Sequence, residues 1–244
     1  MHPIFDKLAI FVYIMVFDFT VNRQDIMTEK LQERIQTAYK EIKAIYKKKG
    51  PFYSFYTFYR NFTCPIRRIF QLIPEGKHYI DVGCGYGFIS IWTALVFPDA
   101  VVTGMDVVES RIAFAGELAA EAGITNLEFH VKDITKDTIG DSEIILLIDL
   151  FHHVPFESQM PFLRQCMDKT PVGGYIVFKD IDRKPWWKFR VNYIQDYLFS
   201  GEKTYCRDRD EYMDFFRKNG FEVEYFDLMK GYPYSHYLIR AKKL

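Results

Sequence analysis

Between residues 78 and 178 the chain alternates short apolar runs with longer amphipathic stretches, and this alternation narrows the possible folds more than any other feature. Residues 79–82 read as a buried strand that runs into Gly83-Cys84-Gly85-Tyr86-Gly87. Residues 88–97 predict a helix closed by Pro98, residues 101–105 a second strand ending at Asp106, and residues 109–122 a helix with Gly123 past its end. A third strand over 127–131 ends near Asp133, and a strongly apolar fourth over 144–148 ends at Asp149. A helix over 156–169, the turn Pro171-Val172-Gly173-Gly174 and a strand over 175–178 complete the run. Strands separated by helices pair in parallel, with helices over both faces of the sheet. Residues 221–226 and 234–240 alternate as two further strands, paired antiparallel.

The 244 residues leave room for more than this sheet. Residues 28–49 predict a helix with Leu31, Ile35, Ala38, Ile42 and Ile45 on one stripe, Thr28 as N-cap, and Lys47, Lys48, Lys49, Gly50 and Pro51 as its stop. Seven aromatics follow within 52–62, and a helix there places 52, 55, 56, 59 and 62 on one face. Such a helix covers the core, lids an apolar substrate, or touches lipid, since aromatics interleaved with Arg and Lys suit a membrane interface. Residues 183–218, with Trp186-Trp187, interrupt the rhythm as an inserted aromatic helical segment. The expected organisation is therefore a helical, aromatic extension over 1–69, as lid or membrane-facing segment, and one α/β domain over 70–244. The apolar run at 8–17 is shorter than the roughly 20 residues that span a bilayer. It is expected to pack on the protein or on a membrane surface.

A hydrophobic fraction of 49% and a charged fraction of 26% exclude disordered, collagen-like and coiled-coil chains. The four cysteines are widely spaced with no CxxC pair, which favours reduced thiols in a cytoplasmic protein over a zinc site or a disulfide framework. Acidic and basic residues balance at 32 each, so net charge selects no partner. Their distribution is uneven: residues 78–150 hold 12 acidic and 3 basic side chains, against 7 and 13 in residues 1–77 and 13 and 16 in residues 151–244. An acidic field favours a cationic ligand, although a solvated acidic face gives the same count.

A strand, a glycine turn and a helix form a site of close approach, where a ligand lies against bare backbone and the helix N-terminus offers N–H groups. A dinucleotide fingerprint would read GxGxxG, but here the third glycine is Gly87 and position 88 is Phe, so a pyrophosphate cradle is disfavoured. Asp106 stands 23 residues after Gly83, where an acid accepts ribose hydroxyls. Asp81, Asp106, Asp133 and Asp149 fall at the carboxyl ends of four successive strands and are expected to line one crevice, the usual ligand position in such sheets.

The segment Asp81-Val82-Gly83-Cys84-Gly85-Tyr86-Gly87 resembles motif I of the class I S-adenosylmethionine-dependent methyltransferases, of the small-molecule type that includes quinone and lipid methyltransferases. Asp106, Asp133, the stretch Ile148-Asp149-Leu150-Phe151-His152-His153-Val154-Pro155 and Gly173-Gly174-Tyr175-Ile176-Val177 match later motifs in order and spacing, over about residues 70–182. The resemblance implies a Rossmann-like seven-stranded, mostly parallel sheet whose last strand is antiparallel. It also implies S-adenosylmethionine as cofactor, with Gly83, Gly85 and Gly87 under its methionine part and Asp81 near its ammonium group. Asp106 would hold the ribose, Val107 and Ile134 would flank adenine, and Asp133 would meet the adenine amino group, with Asp149 completing the lining.

His152 and His153 follow the fourth strand, where an acceptor enters, and suit a general base, with His153 preferred. Helix capping is the structural alternative for either ring. Asp149, Asp180 and Asp182 raise a magnesium-dependent variant, but no metal is expected. The expected activity is methyl transfer to oxygen or carbon of a small apolar or aromatic acceptor, which a lipid tail could carry. The expected setting is the cytoplasm, with peripheral contact at the inner membrane face. A nucleic-acid partner is not expected: the Asn/Asp-Pro-Pro-Tyr/Phe-like motif is replaced by Asp149-Leu150-Phe151-His152, and the neutral charge balance lacks a strong phosphate-binding footprint. The alternatives are a non-catalytic cofactor-binding module, which has no need of intact acids, and an oxidoreductase, which the glycine spacing opposes.

Overall fold

The computed structural model describes residues 29–200 and 204–244, so the apolar run at 8–17 and Thr28 lie outside the described residues. Three helices come first: α1 (Glu29–Lys48), α2 (Pro51–Thr63) and α3 (Ile66–Phe70). The alternating region then runs β1 (His78–Val82), α4 (Phe88–Val96), β2 (Val101–Asp106), α5 (Glu109–Glu121), β3 (Leu127–Val131) and β4 (Ile144–Ile148). A single 3-10 turn (Phe151–His153) leads to α6 (Phe156–Lys169) and β5 (Tyr175–Ile181). The chain closes with α7 (Trp186–Ser200), α8 (Arg209–Lys218), β6 (Phe221–Asp227) and β7 (His236–Lys243).

The seven strands form one sheet in the order β3-β2-β1-β4-β5-β7-β6. The first five pair in parallel, and β7 runs antiparallel to both β5 and β6. This is the expected topology, last strand included. Connections from β1 turn one way to β2 and β3, then cross to β4 and β5 on the other side. That reversal opens a crevice at the carboxyl ends of β1 and β4.

Burial on both faces explains the composition of the central strands. In β4, Ile144, Leu146 and Ile148 face a core shared with α1, α3 and α4, while Ile145 and Leu147 face a second core under α6 and α8. Helix α4 is apolar nearly all round because it is covered nearly all round: Trp92 is fully buried and stacks on Phe70 of α3 with ring centroids 4.4 Å apart. The described part of the N-terminal extension thus contributes to the same core as the sheet. In α1 the buried row is Leu31, Ile35, Ala38, Ile42 and Tyr46. Tyr46 completes it in place of the expected Ile45, and its hydroxyl donates to the Tyr86 carbonyl at 2.6 Å.

Two segments depart from the sequence reading. In α2 the faces divide differently from the expected set of 52, 55, 56, 59 and 62. Phe52, Phe55, Phe58 and Phe62 are exposed, whereas Tyr53, Tyr56 and Tyr59 are half-buried and Thr57 is buried. The aromatic run concealed this because nearly every position is a ring, so periodicity alone cannot separate inside from outside. The expected insertion at 183–218 also resolves into two parts. Helix α8, opened by an Asp208–Glu211 capping box, buries Tyr212 and Phe216 against the sheet as an ordinary crossover helix. Only α7, with Trp186, Trp187, Val191, Tyr193 and Ile194 exposed, stands outside that pattern.

Candidate cofactor and acceptor site

The glycine turn is tied to the end of β2. Met105 O accepts from the N–H groups of Gly83 (2.7 Å) and Cys84 (2.9 Å), and the Gly85 N–H donates to Asp106 Oδ2 at 2.9 Å. Gly83, Gly85 and Gly87 all have positive φ, as a turn this tight requires. Their surroundings differ. A Cβ at Gly87 would lie 2.8 Å from Ala115 Cβ, so this glycine lets α4 and α5 close together. A Cβ at Gly85 would meet nothing within 4 Å. Its bare face opens on the crevice, where a ligand can approach the backbone.

Asp106 holds the turn and keeps capacity to spare. Its Oδ1 accepts from the Val108 N–H at 2.9 Å and its Oδ2 from Gly85. A carboxylate offers about four lone-pair positions, so two remain for a pair of vicinal hydroxyls. Val107, next in sequence, is 60% exposed, an apolar side chain left at the rim beside this acid. Ile134 packs against the second core, near the end of β3. The open glycine, the acid with spare acceptors and the bare valine fit the amino acid, ribose and base of S-adenosylmethionine in turn.

The four strand-end acids are not equivalent, and the structure does not bring all four together as unpaired charges. Asp81 is buried and accepts from Ser90 Oγ at 2.5 Å. Burial pushes its carboxyl up to about 6, against the lowering effects of Ser90 and Arg60. Asp133 serves its own turn: Thr135 donates to it from both N–H (3.0 Å) and Oγ1 (2.6 Å), and Lys136 pairs with it at 2.8 Å. Lys136 and Thr135 together hold its carboxyl down at about 2. Asp149 leaves β4 in the left-handed region at φ 55, which Asp tolerates better than most residues. It is engaged by two cations, Lys179 Nζ and Arg60 Nη1, the latter at 3.3 Å, and Cys64 Sγ donates to it at 3.5 Å. Burial alone would raise its carboxyl, but Lys179 and Arg60 hold it well below the usual range. Asp149 therefore contributes a neutralised cluster to the crevice rather than a free negative charge. Sequence reasoning passed over Lys179. The signal was a lone lysine inside Tyr175-Ile176-Val177-Phe178-Lys179, since lysine is almost never fully buried without a partner.

The two histidines also divide. His152 is buried, its ring Nδ1 pairs with Asp180 Oδ1, and its backbone N–H donates to Asp180 Oδ2 at 3.1 Å. His153 is half-buried, with its ring 4.1 Å from that of His152, centroid to centroid. Burial pushes the His153 imidazole down to about 4, with the His152 charge adding to the effect and Asp180 and Asp149 opposing it. Arg111, which reaches Asp106 at 4.0 Å, adds a small lowering effect on the same ring. At neutral pH it is an uncharged imidazole. Asp149, Asp180 and Asp182 are held apart by Lys179 with Arg60, by His152 and by Arg209, and among the described residues no three metal-binding side chains converge.

The sheet order, the reversed seventh strand and the glycine turn at the carboxyl end of β1 define the fold of the class I S-adenosylmethionine-dependent methyltransferases. The methyltransferase-domain family matches residues 73–220, well over half of the chain, and the chain belongs to that family. A ubiquinone biosynthesis O-methyltransferase of Coxiella burnetii is 36% identical over 116 residues, covering 46% of this chain and 47% of that protein. The chain thus spans about half the length of the curated relatives it matches. Among solved structures, the apo S-adenosylmethionine-dependent methyltransferase SibL superposes with a TM-score of 0.63 at 15% identity, over 98% of this chain and 76% of that one. Magnesium protoporphyrin IX methyltransferase from Synechocystis, solved with bound S-adenosylhomocysteine, gives 0.57 at 17% identity, over 98% and 96%.

A pH dependence follows from Asp81. Its folded carboxyl titrates near 6, above the roughly 3.9 of an unfolded chain, so its ionisation subtracts stability as pH rises through that interval. A cationic ligand close to the turn recovers part of that loss and binds the ionised form better. Affinity for S-adenosylmethionine is expected to fall by up to about tenfold per pH unit below 6. Asp81→Asn should flatten the dependence, as titration calorimetry at several pH values would read.

Proposed function

We propose that the protein transfers a methyl group from S-adenosylmethionine to a hydroxyl oxygen of a small apolar or aromatic acceptor. The observation that carries this reading is the neutral His153 ring, held against the His152–Asp180 pair on the acceptor side of the cradle built by Gly85 and Asp106. When bound, S-adenosylmethionine supplies a methyl group made electrophilic by its sulfonium. The chain's residues do the rest. Gly83, Gly85 and Gly87 present backbone to the methionine part, Asp81 provides negative charge behind it, and Asp106 receives the ribose hydroxyls. Val107 and Ile134 flank the base, with Asp133 at its edge.

His153, uncharged at neutral pH, accepts the proton of the acceptor hydroxyl late, as oxygen attacks the methyl carbon and the hydroxyl proton becomes acidic enough for a base pushed down to about 4. Asp180 fixes the ring of His152, and His152 fixes that of His153, so the base is aligned before the acceptor arrives. The O-methyltransferase names of the relatives support oxygen over carbon as the attacking atom. The many rings around the crevice support an apolar or aromatic acceptor. Tyr53, Tyr56, Tyr86 and Phe114 form one cluster at the glycine turn.

The test is turnover of S-adenosylmethionine against phenols, catechols, quinone precursors and lipid extracts, followed by mass spectrometry of the product. Methyl gained on oxygen, with stoichiometric S-adenosylhomocysteine, is the expected result. A methyl found on carbon or nitrogen would remove the assigned role of His153.

A further inference from the structure

The helix α2 is built inside out. Its tyrosines, which carry a hydroxyl that water would welcome, are half-buried, while the phenylalanines at 52, 55, 58 and 62 are exposed. At 100° per residue these four rings fall within a sector of about 120°. Phe52 and Phe58 are each 64% exposed and Phe55 58%. Inward, Tyr53 stacks on Phe114, Tyr53 and Tyr56 both meet Tyr86 edge-on, and Arg60 reaches Asp149. The outward stripe is therefore not a by-product of packing, because the polar-tipped rings have been spent on the interior. Contiguous exposed apolar surface of this kind marks a site of contact.

Helix α7 carries a second surface of the same character. In α7, Trp186, Trp187, Val191, Tyr193 and Ile194 are exposed, and the Arg190 guanidinium sits 5.6 Å from the Trp186 ring. Both helical regions grip the loop between β6 and β7. Arg68 donates to Lys230 O at 3.2 Å from the α3 side, and Lys188 donates to Met229 O (2.9 Å) and Tyr232 O (2.8 Å) from α7. That loop stands at the carboxyl end of β5, where Ile181 pairs with His236 and His236 Nε2 meets the Thr63 carbonyl of α2, so both helices are anchored at the end of the molecule that holds the crevice.

Charge selects the occupant. Residues 42–74 and 183–195 hold no acid, and in them Lys43, Lys47, Lys48, Arg67, Arg183 and Arg190 are exposed, whereas Lys49, Arg60 and Lys184 are paired with Glu117 and Glu121, Asp149 and Asp208, and Arg68 and Lys188 bind loop carbonyls. A second copy of this surface would bring cations against cations. An anionic bilayer matches both components, since it receives the rings at the headgroup level and the cations at the phosphates.

We propose that the outward faces of α2 and α7 form a docking surface for an anionic lipid bilayer, which sets the mouth of the crevice against the membrane. Among the described residues no helix is long and apolar enough to cross a membrane. The proposal rests on these two faces and not on the methyl-transfer reading. Vesicle binding by a protein that took up no S-adenosylmethionine would still support it.

The experiment is sedimentation of the full chain with phosphatidylcholine vesicles, with and without phosphatidylglycerol, at low and physiological salt. The wild type should pellet with the anionic vesicles. The fluorescence of Trp186 and Trp187 should be quenched by brominated lipid, while buried Trp92 is spared. Phe55→Ser combined with Phe58→Ser should weaken binding at least about tenfold without loss of folding, because both rings are exposed. Arg190→Glu should weaken it in a salt-dependent manner. Wild-type protein that ignores anionic vesicles at both salt concentrations, or a double-serine variant that binds as the wild type does, would overturn the proposal. So would a wild-type oligomer that the same two substitutions dissolve in the absence of any vesicle binding.

Discussion

Replacing His153 by alanine is expected to lower methyl transfer by about 10²–10⁴-fold, the usual contribution of a positioned general base. Affinity for S-adenosylmethionine should stay unchanged, because the proposed cradle consists of Gly83, Gly85, Gly87 and Asp106 and does not include His153. The loss should fall on kcat at saturating acceptor. Removing the support should act through alignment instead. Asp180→Asn loosens the His152 ring, and a displacement of about 1 Å at the base is worth about 10²-fold. Its acid limb should move to lower pH, since the Asp180 charge that supports the protonated form of the proposed base His153 is gone. Single-turnover kinetics separate the two variants. Equal activity of His153→Ala and wild type would transfer the role to another group or leave the reaction without a base.

The second large effect concerns stability. Lys179 is fully buried and compensates Asp149, whose side chain keeps only 15% exposure. Lys179→Met should destabilise the fold by about 3–5 kcal/mol, the loss on breaking a buried pair from one side. Adding Asp149→Asn should recover most of this, since the stranded charge is gone and Asn also tolerates the left-handed backbone at this position. Arg60 would then turn to solvent, which its partly exposed side chain already reaches. The pH dependence gives a second readout. In the wild type the Asp149 carboxyl lies below its unfolded value, so its stabilisation is present above pH about 4 and is lost as pH falls below that. In Lys179→Met burial acts with only Arg60 to oppose it, so the deficit should be largest at neutral pH and narrow as pH falls. Urea melts at several pH values test both statements. A loss below about 1 kcal/mol would mean that water reaches Asp149.

The fold was legible because its signals are local. The strand Ile144–Ile148 is apolar at every position because both its faces are covered, and Gly83-x-Gly85-x-Gly87 marks the one place where the chain must turn tightly from a strand into α4. Asp106 was legible for the same reason, as an acid one residue past an apolar run. What stayed hidden depends on contacts distant in sequence. Nothing near Asp149 announces that Lys179 and Arg60, 30 positions after and 89 before it, converge on its carboxylate. The adjacent letters of His152 and His153 could not say which ring Asp180 would take. In α2, ring after ring erased the contrast on which an amphipathic reading depends, and only tertiary packing showed that the tyrosines face in.

The account depends first on the cradle formed by the glycine turn and Asp106. Calorimetric titration with S-adenosylmethionine and S-adenosylhomocysteine, with NAD and NADP as controls, tests it most directly, and Asp106→Ala serves as the matched variant. Micromolar binding of the first two alone is predicted, with a loss of about 1.5–3 kcal/mol in the variant as charged hydrogen bonds disappear. Binding of a nicotinamide cofactor, or an Asp106→Ala variant as tight as the wild type, would contradict it.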